Sequence, residues 1–256
     1  MRKLLLTFVV SSIFYSCGNS STSTPETPPF KGTIVPVYFY NTTLWEKLAT
    51  VDCNGCSFFA IVNPDNGPGN QTDPNYTRFI DELNTNGKIP IGYVYTKWAS
   101  RNITDVEKDV DTWLELYPNI KGFFIDEVSD NEGNLTYYQQ LVSYIKQKGN
   151  YTVVLNPGTL PVEGYFSLAD YVVVYENSEG YLFQFLNASC LICTDGTPYA
   201  EKSACIVYGV NSTDWQKVAE SLKGKCSLLY LTDGQPPNPY DHLPPYFEQF
   251  VSTFFK

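Results

Sequence analysis

Three acidic side chains stand where apolar runs end. Asp126 and Glu127 close Gly-Phe-Phe-Ile, and Glu176 closes Tyr-Val-Val-Val-Tyr. An ionised carboxylate emerging from such a run is costly unless it is paired or wetted. With only 17 Lys and Arg in the chain, pairing is not readily supplied. Two carboxyl groups facing each other across a cleft are what glycosidic cleavage requires. One protonates the departing oxygen; the other supports the oxocarbenium-like centre, as a nucleophile or through an activated water. Neighbours Asp126 and Glu127 cannot both point the same way on a regular strand. One aims at the substrate, and the other orients or tunes it from the rim.

Other chemistries lack their usual residues. The single histidine, His242, sits in Asp241-His242-Leu243-Pro244-Pro245 and reads as a surface residue or a helix start. No G-x-S-x-G elbow accompanies it, so a Ser-His-Asp hydrolase is disfavoured. No H-E-x-x-H or phosphate-cradling G-x-x-x-x-G-K appears, and neither a metal nor a cofactor is expected. Beyond Cys17 lie Cys53, Cys56, Cys190, Cys193, Cys205 and Cys226. The two C-x-x-C pairs fit a redox or zinc site, but one histidine and an oxidising compartment favour disulfides.

The elements that must hold these groups follow a regular rhythm. Strand-like runs fall at Thr33–Tyr40, Ser57–Pro64, Ile89–Thr96, Lys121–Glu127, Thr152–Asn156, Tyr171–Glu176, Ala204–Val210 and Ser227–Thr232. Helical spacing marks Tyr76–Asn86, Thr104–Tyr117, Thr136–Lys148, Thr213–Lys223 and His242–Phe255, and more weakly Thr42–Ala49, Tyr165–Ala169 and Gly180–Phe185. Strands apolar on both parities fit a parallel sheet buried on both faces. Eight such units predict a single (β/α)8 TIM-like barrel, for which 256 residues is an ordinary length. The rival, an open doubly wound sheet, usually carries a Gly-rich loop after its first strand, where this chain has Phe39-Tyr40-Asn41-Thr42.

A barrel of this kind carries its site at the C-terminal strand ends. Those ends are polar here: Asn63, Tyr95, Thr96, Asn156 and Thr232-Asp233 join the three acids. Asn63, Asn156 and Asp233 each introduce a Pro or Gly turn, so turn formation accounts for them as well as ligand contact does. Tyr38, Tyr40, Tyr93, Tyr95, Tyr175 and Tyr208 lie near the expected mouth, and those of the right parity stack on sugar rings. The expected substrate contacts are Tyr38, Asn63, Tyr93, Tyr95, Thr96, Asn156, Tyr208 and Asp233, around the catalytic set Asp126, Glu127 and Glu176.

Residues 1–17 read as a secretory signal, with Arg2 and Lys3 before the apolar run Leu4 to Val10. A lipoprotein anchored at Cys17 is the rival. Residues 18–32 read as a Ser/Thr/Pro-rich tether and residues 33–256 as the barrel. Sequons at Asn19, Asn41, Asn70, Asn75, Asn102, Asn134, Asn150, Asn187 and Asn211 predict a glycoprotein outside the cell. No segment is long and apolar enough to insert in a membrane. A net charge of −10 argues against nucleic acid and tolerates a cationic ligand. The expected species is a monomer with a polysaccharide partner.

The set of strand ends resembles the spherulin-4 family. The matching segments are Val35-Pro36-Val37-Tyr38, NPDNGPG at Asn63–Gly69, Asn75-Tyr76, IGYVYT at Ile91–Thr96 with Arg101, GFFIDE at Gly122–Glu127, NPGT at Asn156–Thr159 and ADYVVVYE at Ala169–Glu176. The resemblance implies a TIM-like barrel related to endo-acting enzymes that cut α-1,4-linked galactosamine or N-acetylgalactosamine polymers. It places their essential acids at Asp126, Glu127 and Glu176. By that likeness Asp126 is nucleophile or stabiliser, Glu176 is general acid/base, and Glu127 is auxiliary. The first two roles remain exchangeable, and substrate assistance by a 2-acetamido group remains open. The competing expectation is a carbohydrate-binding or structural wall protein that keeps the barrel without turnover.

Overall fold

The structure, a computed structural model, describes residues 30–188 and 199–255. The expected signal, most of the tether, Cys190 and Cys193 lie outside the described residues.

Eight strands form a closed parallel barrel in sequence order: β1 (Gly32–Val37), β2 (Ser57–Val62), β3 (Ile89–Tyr95), β4 (Gly122–Asp126), β5 (Thr152–Leu155), β6 (Tyr171–Ser178), β7 (Ser203–Tyr208) and β8 (Leu228–Leu231). Gly32 on β1 pairs with Leu228 on β8 and closes the cylinder, so the barrel holds and the open sheet does not. The crossovers carry α1 (Thr42–Thr50), α2 (Pro74–Thr85), α3 (Ile103–Leu116), α4 (Leu135–Lys148), α5 (Gly164–Leu168), α6 (Glu179–Ala188), α7 (Trp215–Leu222) and α8 (Phe247–Phe254). Apolar residues of both parities are required because each strand packs helices outside and other strands' side chains inside. The interior is filled: Phe59 on β2 meets Tyr171 on β6 across the barrel, ring centroids 5.5 Å apart. On the outer face, Trp113 of α3 lies so close to Gly92 of β3 that an added Cβ would fall 2.7 Å from the indole. The Trp113 indole N–H donates to the Tyr93 carbonyl at 2.8 Å and locks helix to strand.

Asparagines start several helices. Asn41 accepts from the Leu44 N–H at 3.1 Å, and Asn102 accepts from the Thr104 N–H at 3.2 Å. Ahead of α7, Asn211 accepts from the Thr213 N–H at 2.8 Å. These three sequon asparagines thus have a local structural role as caps and turn formers. The last helix begins later than its apolar spacing predicts, at Phe247 instead of His242, because Pro244 and Pro245 offer no backbone donors. Of the cysteines described, Cys53 and Cys56 form a disulfide, whereas Cys205 and Cys226 are buried thiols. The expectation of full pairing is corrected for those two. They pack against each other, and burial with the neighbouring Cys205 pushes the Cys226 thiol well up. Among the described residues no helix is long and apolar enough to cross a membrane.

One irregularity sets the site. Between β6 and β7 the register shifts: Val173 faces Ala204, but Tyr175 faces Cys205, so Val174 is an extra residue. On a regular strand Tyr171 and Glu176, five apart, would face opposite sides. Tyr171 reaches across the interior to Phe59, and Glu176 also reaches inward, to Asn156 and Tyr240. The bulge at Val174 reverses the parity and turns the acid into the barrel.

Candidate functional site

Asp126 and Glu176 come together at the C-terminal mouth, and a single amide spans them. Asn156, buried at the end of β5, donates from Nδ2 to Asp126 Oδ1 at 2.7 Å and to Glu176 Oε2 at 2.5 Å. A shared donor confines the two nearest carboxylate oxygens to a separation of about 5 Å or less, at the short end of the range for glycosidic carboxyl pairs. The Asn156 Oδ1 accepts from the Gly158 N–H at 2.9 Å, which fixes the amide's orientation. Each acid has a tyrosine of its own. Tyr93 donates to Asp126 Oδ2 at 2.7 Å, and Tyr240 donates to Glu176 Oε1 at 2.6 Å. Tyr38 stands edge-on between them, 5.7 Å from the Tyr93 ring and 5.6 Å from the Tyr240 ring.

The electrostatics push the pair towards one shared proton. Burial raises the Glu176 carboxyl to about 7, with the Asp126 charge adding to the rise while Tyr240 and Asn156 oppose it. Burial raises Asp126 as well, but donations from Tyr93, the Glu127 N–H and Asn156 hold it back. Two close carboxyls in one cavity do not ionise together, and the better-solvated partner keeps the charge. Here Asp126 has the larger set of donors, so Glu176 holds the proton near neutrality. Burial and the facing charges raise the Tyr38, Tyr93 and Tyr240 hydroxyls, leaving all three neutral, with Tyr93 and Tyr240 donating to the acids.

Glu127 sits at the rim, not in the pair. Its backbone is left-handed, φ 52°, so the chain leaves β4 there and the side chain is not bound by strand alternation. Partial burial and the Asp126 charge raise its carboxyl; the Lys97 N–H and the Lys97 and Arg101 charges lower it. The facing turn of the β3–α3 connection is left-handed at three consecutive residues, Lys97, Trp98 and Ala99 (φ 50°, 52° and 65°). It is tied to the same place by the Trp98 N–H, which donates to the Glu127 carbonyl at 2.6 Å.

The other expected contacts divide. Tyr38 and Tyr93 belong to the acid pair's immediate surroundings, and Asn156 holds both acids with its amide already engaged. Tyr95 lines a groove beside the mouth, its ring covered by the Arg101 guanidinium at 4.1 Å. Tyr208 donates to Asn177 Oδ1 at 3.2 Å on the β6–β7 side. Thr96 is corrected: it is wholly buried, its Oγ1 donating to the Glu127 carbonyl at 2.8 Å and meeting the Tyr138 hydroxyl. Asn63 takes the turn-forming role that its sequence also offered: its Oδ1 accepts from the Gly67 N–H at 2.9 Å and shapes the loop after β2. Asp233 accepts from His242 Nε2 at 3.0 Å and pins the long β8–α8 connection. Two residues escaped the sequence reading. Tyr240 arrives from that Pro-rich connection, and Trp98 stands on a turn whose backbone nothing in the composition announces. Among the described residues no group of three or more His, Cys, Asp or Glu side chains is placed to hold a metal.

The chain resembles known proteins over nearly this whole structure. The family described as Spherulation-specific family 4 matches residues 32–254. Spherulin-4 of Physarum polycephalum is 31% identical over 209 residues, covering 78% of this chain and 63% of that protein. The match therefore spans somewhat less than two thirds of that relative's length. The crystal structure of Aspergillus clavatus Sph3 in complex with GalNAc superposes with a TM-score of 0.77 at 25% identity, covering 88% of this chain and 97% of that one. A putative alpha-L-fucosidase from Bacteroides thetaiotaomicron shares the fold alone, with a TM-score of 0.55 at 9% identity over 95% of this chain and 99% of that one. From its first strand to its last helix, the chain belongs to spherulation-specific family 4.

Proposed function

We propose that this chain is a secreted, endo-acting glycoside hydrolase that cuts α-1,4-linked galactosamine or N-acetylgalactosamine polysaccharide with retention of anomeric configuration. The observation that carries this reading is the Asn156 amide, which holds Asp126 and Glu176 at a spacing suited to direct attack rather than to an interposed water. Asp126, the better-solvated carboxylate, attacks the anomeric carbon as the glycosidic C–O bond breaks. Glu176 delivers its proton to the departing oxygen. In the second half, Glu176 takes a proton from water, the water oxygen bonds to the anomeric carbon, and Asp126 leaves. Tyr93 and Tyr240 steady the charge on each acid through these steps.

The likeness to Sph3, whose structure holds GalNAc, supports a hexosamine substrate. The acidic chain, −10 overall, is compatible with a polymer that carries free amines. The Cys53–Cys56 disulfide and the sequons support an extracellular setting, in a wall, coat or biofilm matrix.

Incubation of the secreted protein with acetylated and de-N-acetylated galactosaminan tests the proposal. Expected are oligosaccharides whose new reducing ends appear first as the α-anomer by proton NMR, with release abolished by Asp126→Asn or Glu176→Gln. Initial β-anomer would refute retention. Cleavage of acetylated polymer alone would assign the nucleophile to the substrate's acetamido group. Binding of polymer without release by the unaltered protein would make the chain a carbohydrate-binding wall protein.

A further inference from the structure

Four tryptophans are present, and three are core: Trp45, Trp113 and Trp215 are 1%, 0% and 3% exposed, whereas Trp98 is 59% exposed. It is also the central residue of the left-handed turn at residues 97–99, where a bulky side chain is rare because Cβ crowds the following carbonyl. That turn is held from several directions. The Trp98 N–H donates to the Glu127 carbonyl at 2.6 Å, the Arg101 N–H donates to the Thr96 carbonyl at 3.2 Å, and the Thr96 hydroxyl beneath donates to the Glu127 carbonyl at 2.8 Å. Strain persists where surroundings over-determine it, and such places cluster at ligand clamps. Here a hydrogen-bonded turn, tied by its backbone to Glu127, carries an unburied indole.

The same turn borders a groove. Tyr95 and Arg101, its two flanks, line an open depression of about 620 Å³ together with Asp65 and Asp105. That volume lies within the usual size of small-ligand sites. The groove lies beside the mouth, on the β2–β3 side, so a chain threaded past Asp126 has somewhere to continue.

We propose that Trp98 is the platform of a further sugar subsite, stacking its indole against a hexosamine unit of the same polysaccharide beyond the bond that is cleaved. The inference rests on the glycosidase reading and extends it to the direction in which the polymer lies. An indole offers a flat apolar face to the ring and, to a protonated amine, a strong cation–π partner. A single exposed aromatic without a cluster of basic residues is a poor anchor for an anionic membrane surface, and one side chain is far smaller than a stable protein interface requires.

Trp98 reports on itself, since it is the solvent-open fluorophore of the four. In the Glu176→Gln protein, which binds without cutting, galactosamine oligosaccharide is expected to lower acrylamide quenching of tryptophan emission several-fold. Trp98→Ala should abolish the quenchable component and raise KM on polymer about tenfold with a smaller change in kcat, while Trp98→Tyr recovers most of the binding. Polymer that co-sediments with Glu176→Gln yet leaves Trp98 fully quenchable overturns the inference, as does an unchanged KM in Trp98→Ala; in both cases hydrolysis by the unaltered protein leaves the glycosidase reading standing. Protection of Trp98 without hydrolysis by the unaltered protein keeps the platform and removes the enzyme. Absence of both binding and hydrolysis removes both.

Discussion

At the base of the barrel, Lys88 precedes β3 with its ammonium buried, donating to the Val51 carbonyl at 2.5 Å and lying 4.7 Å from the centroid of the Phe58 ring. Above it the Phe59–Tyr171 contact fills the floor, and the Cys53–Cys56 disulfide closes the nearby turn. The mouth is built otherwise. Two half-buried acids sit there with their hydroxyl donors, and left-handed backbone, present at the base in the disulfide turn at Asn54, here runs through Lys97, Trp98 and Ala99 and recurs at Glu127. A buried charge at the base is a cation solvated by a carbonyl and a ring, with the opposite charge of Asp52 nearby. At the mouth, two like charges are forced together and their carboxyls rise. On the proposed function, the difference separates a buried charge that serves packing alone from a pair that lowers stability in exchange for reactivity.

The sharpest way to break that contrast is to remove the proton-carrying acid. Glu176→Gln is expected to lower kcat by on the order of 10³-fold or more. It should also change the pH dependence of stability. The folded-state value of about 7 lies above the ordinary 4.5, so the folded chain binds this proton more tightly than the unfolded one. Stability from this group is fully present below pH 4.5 and is lost as pH rises through about 7. Thermal melts across that window should therefore show the wild type losing ground to Glu176→Gln as pH rises; parallel curves would contradict the shared-proton account.

Next in size is Asn156→Ala, which leaves both acids in place and removes the amide between them. A loss in kcat of about 10²-fold is expected from misplacement alone, measured beside a circular dichroism spectrum that stays native. Wild-type turnover would mean that the spacing does not depend on Asn156. Smaller still is Tyr240→Phe. The Tyr240 donation lowers the Glu176 value, so its loss raises that value and moves the alkaline limb of kcat/KM to higher pH, with roughly a tenfold fall in rate at the optimum. A limb shifted downward would reverse the assignment of Glu176 as the acid. The smallest effect belongs to the base. Lys88→Met removes the buried charge while keeping most of the volume, and should alter unfolding free energy by no more than about 1–2 kcal/mol. Its kcat should match the wild type; a large loss of activity would show that the two ends are coupled.

The strands were legible because burial on two sides demands apolar residues at every position, and few other segments of this chain show that. Asp126 and Glu176 were legible for the complementary reason, as charges at the end of such runs. Thr96 misled because Tyr95 and Thr96 are neighbours of opposite parity, and Thr96 is the one turned into the protein. Asn63 stayed ambiguous because the side chain that suits a ligand also suits a turn. Tyr240 could not be found by reading strand ends, since it enters from a connection with no periodicity. The extra residue in β6 was equally hidden: Val172-Val173-Val174 looks the same whether the strand runs straight or bulges.

That hidden residue makes reactivity a matter of counting as well as chemistry. An acid aligned with Glu176 faces inward only if its count from Tyr171 agrees with the strand's register: five residues need the bulge, and four need a regular strand. A homologue of the same length in that stretch whose strand runs regularly would direct the same glutamate towards the surrounding helices. Its cylinder would remain closed and its sequence would retain every acid. Inventories of acids alone would then class a silent protein with a working one, and the register of the strand has to be compared before a role is transferred.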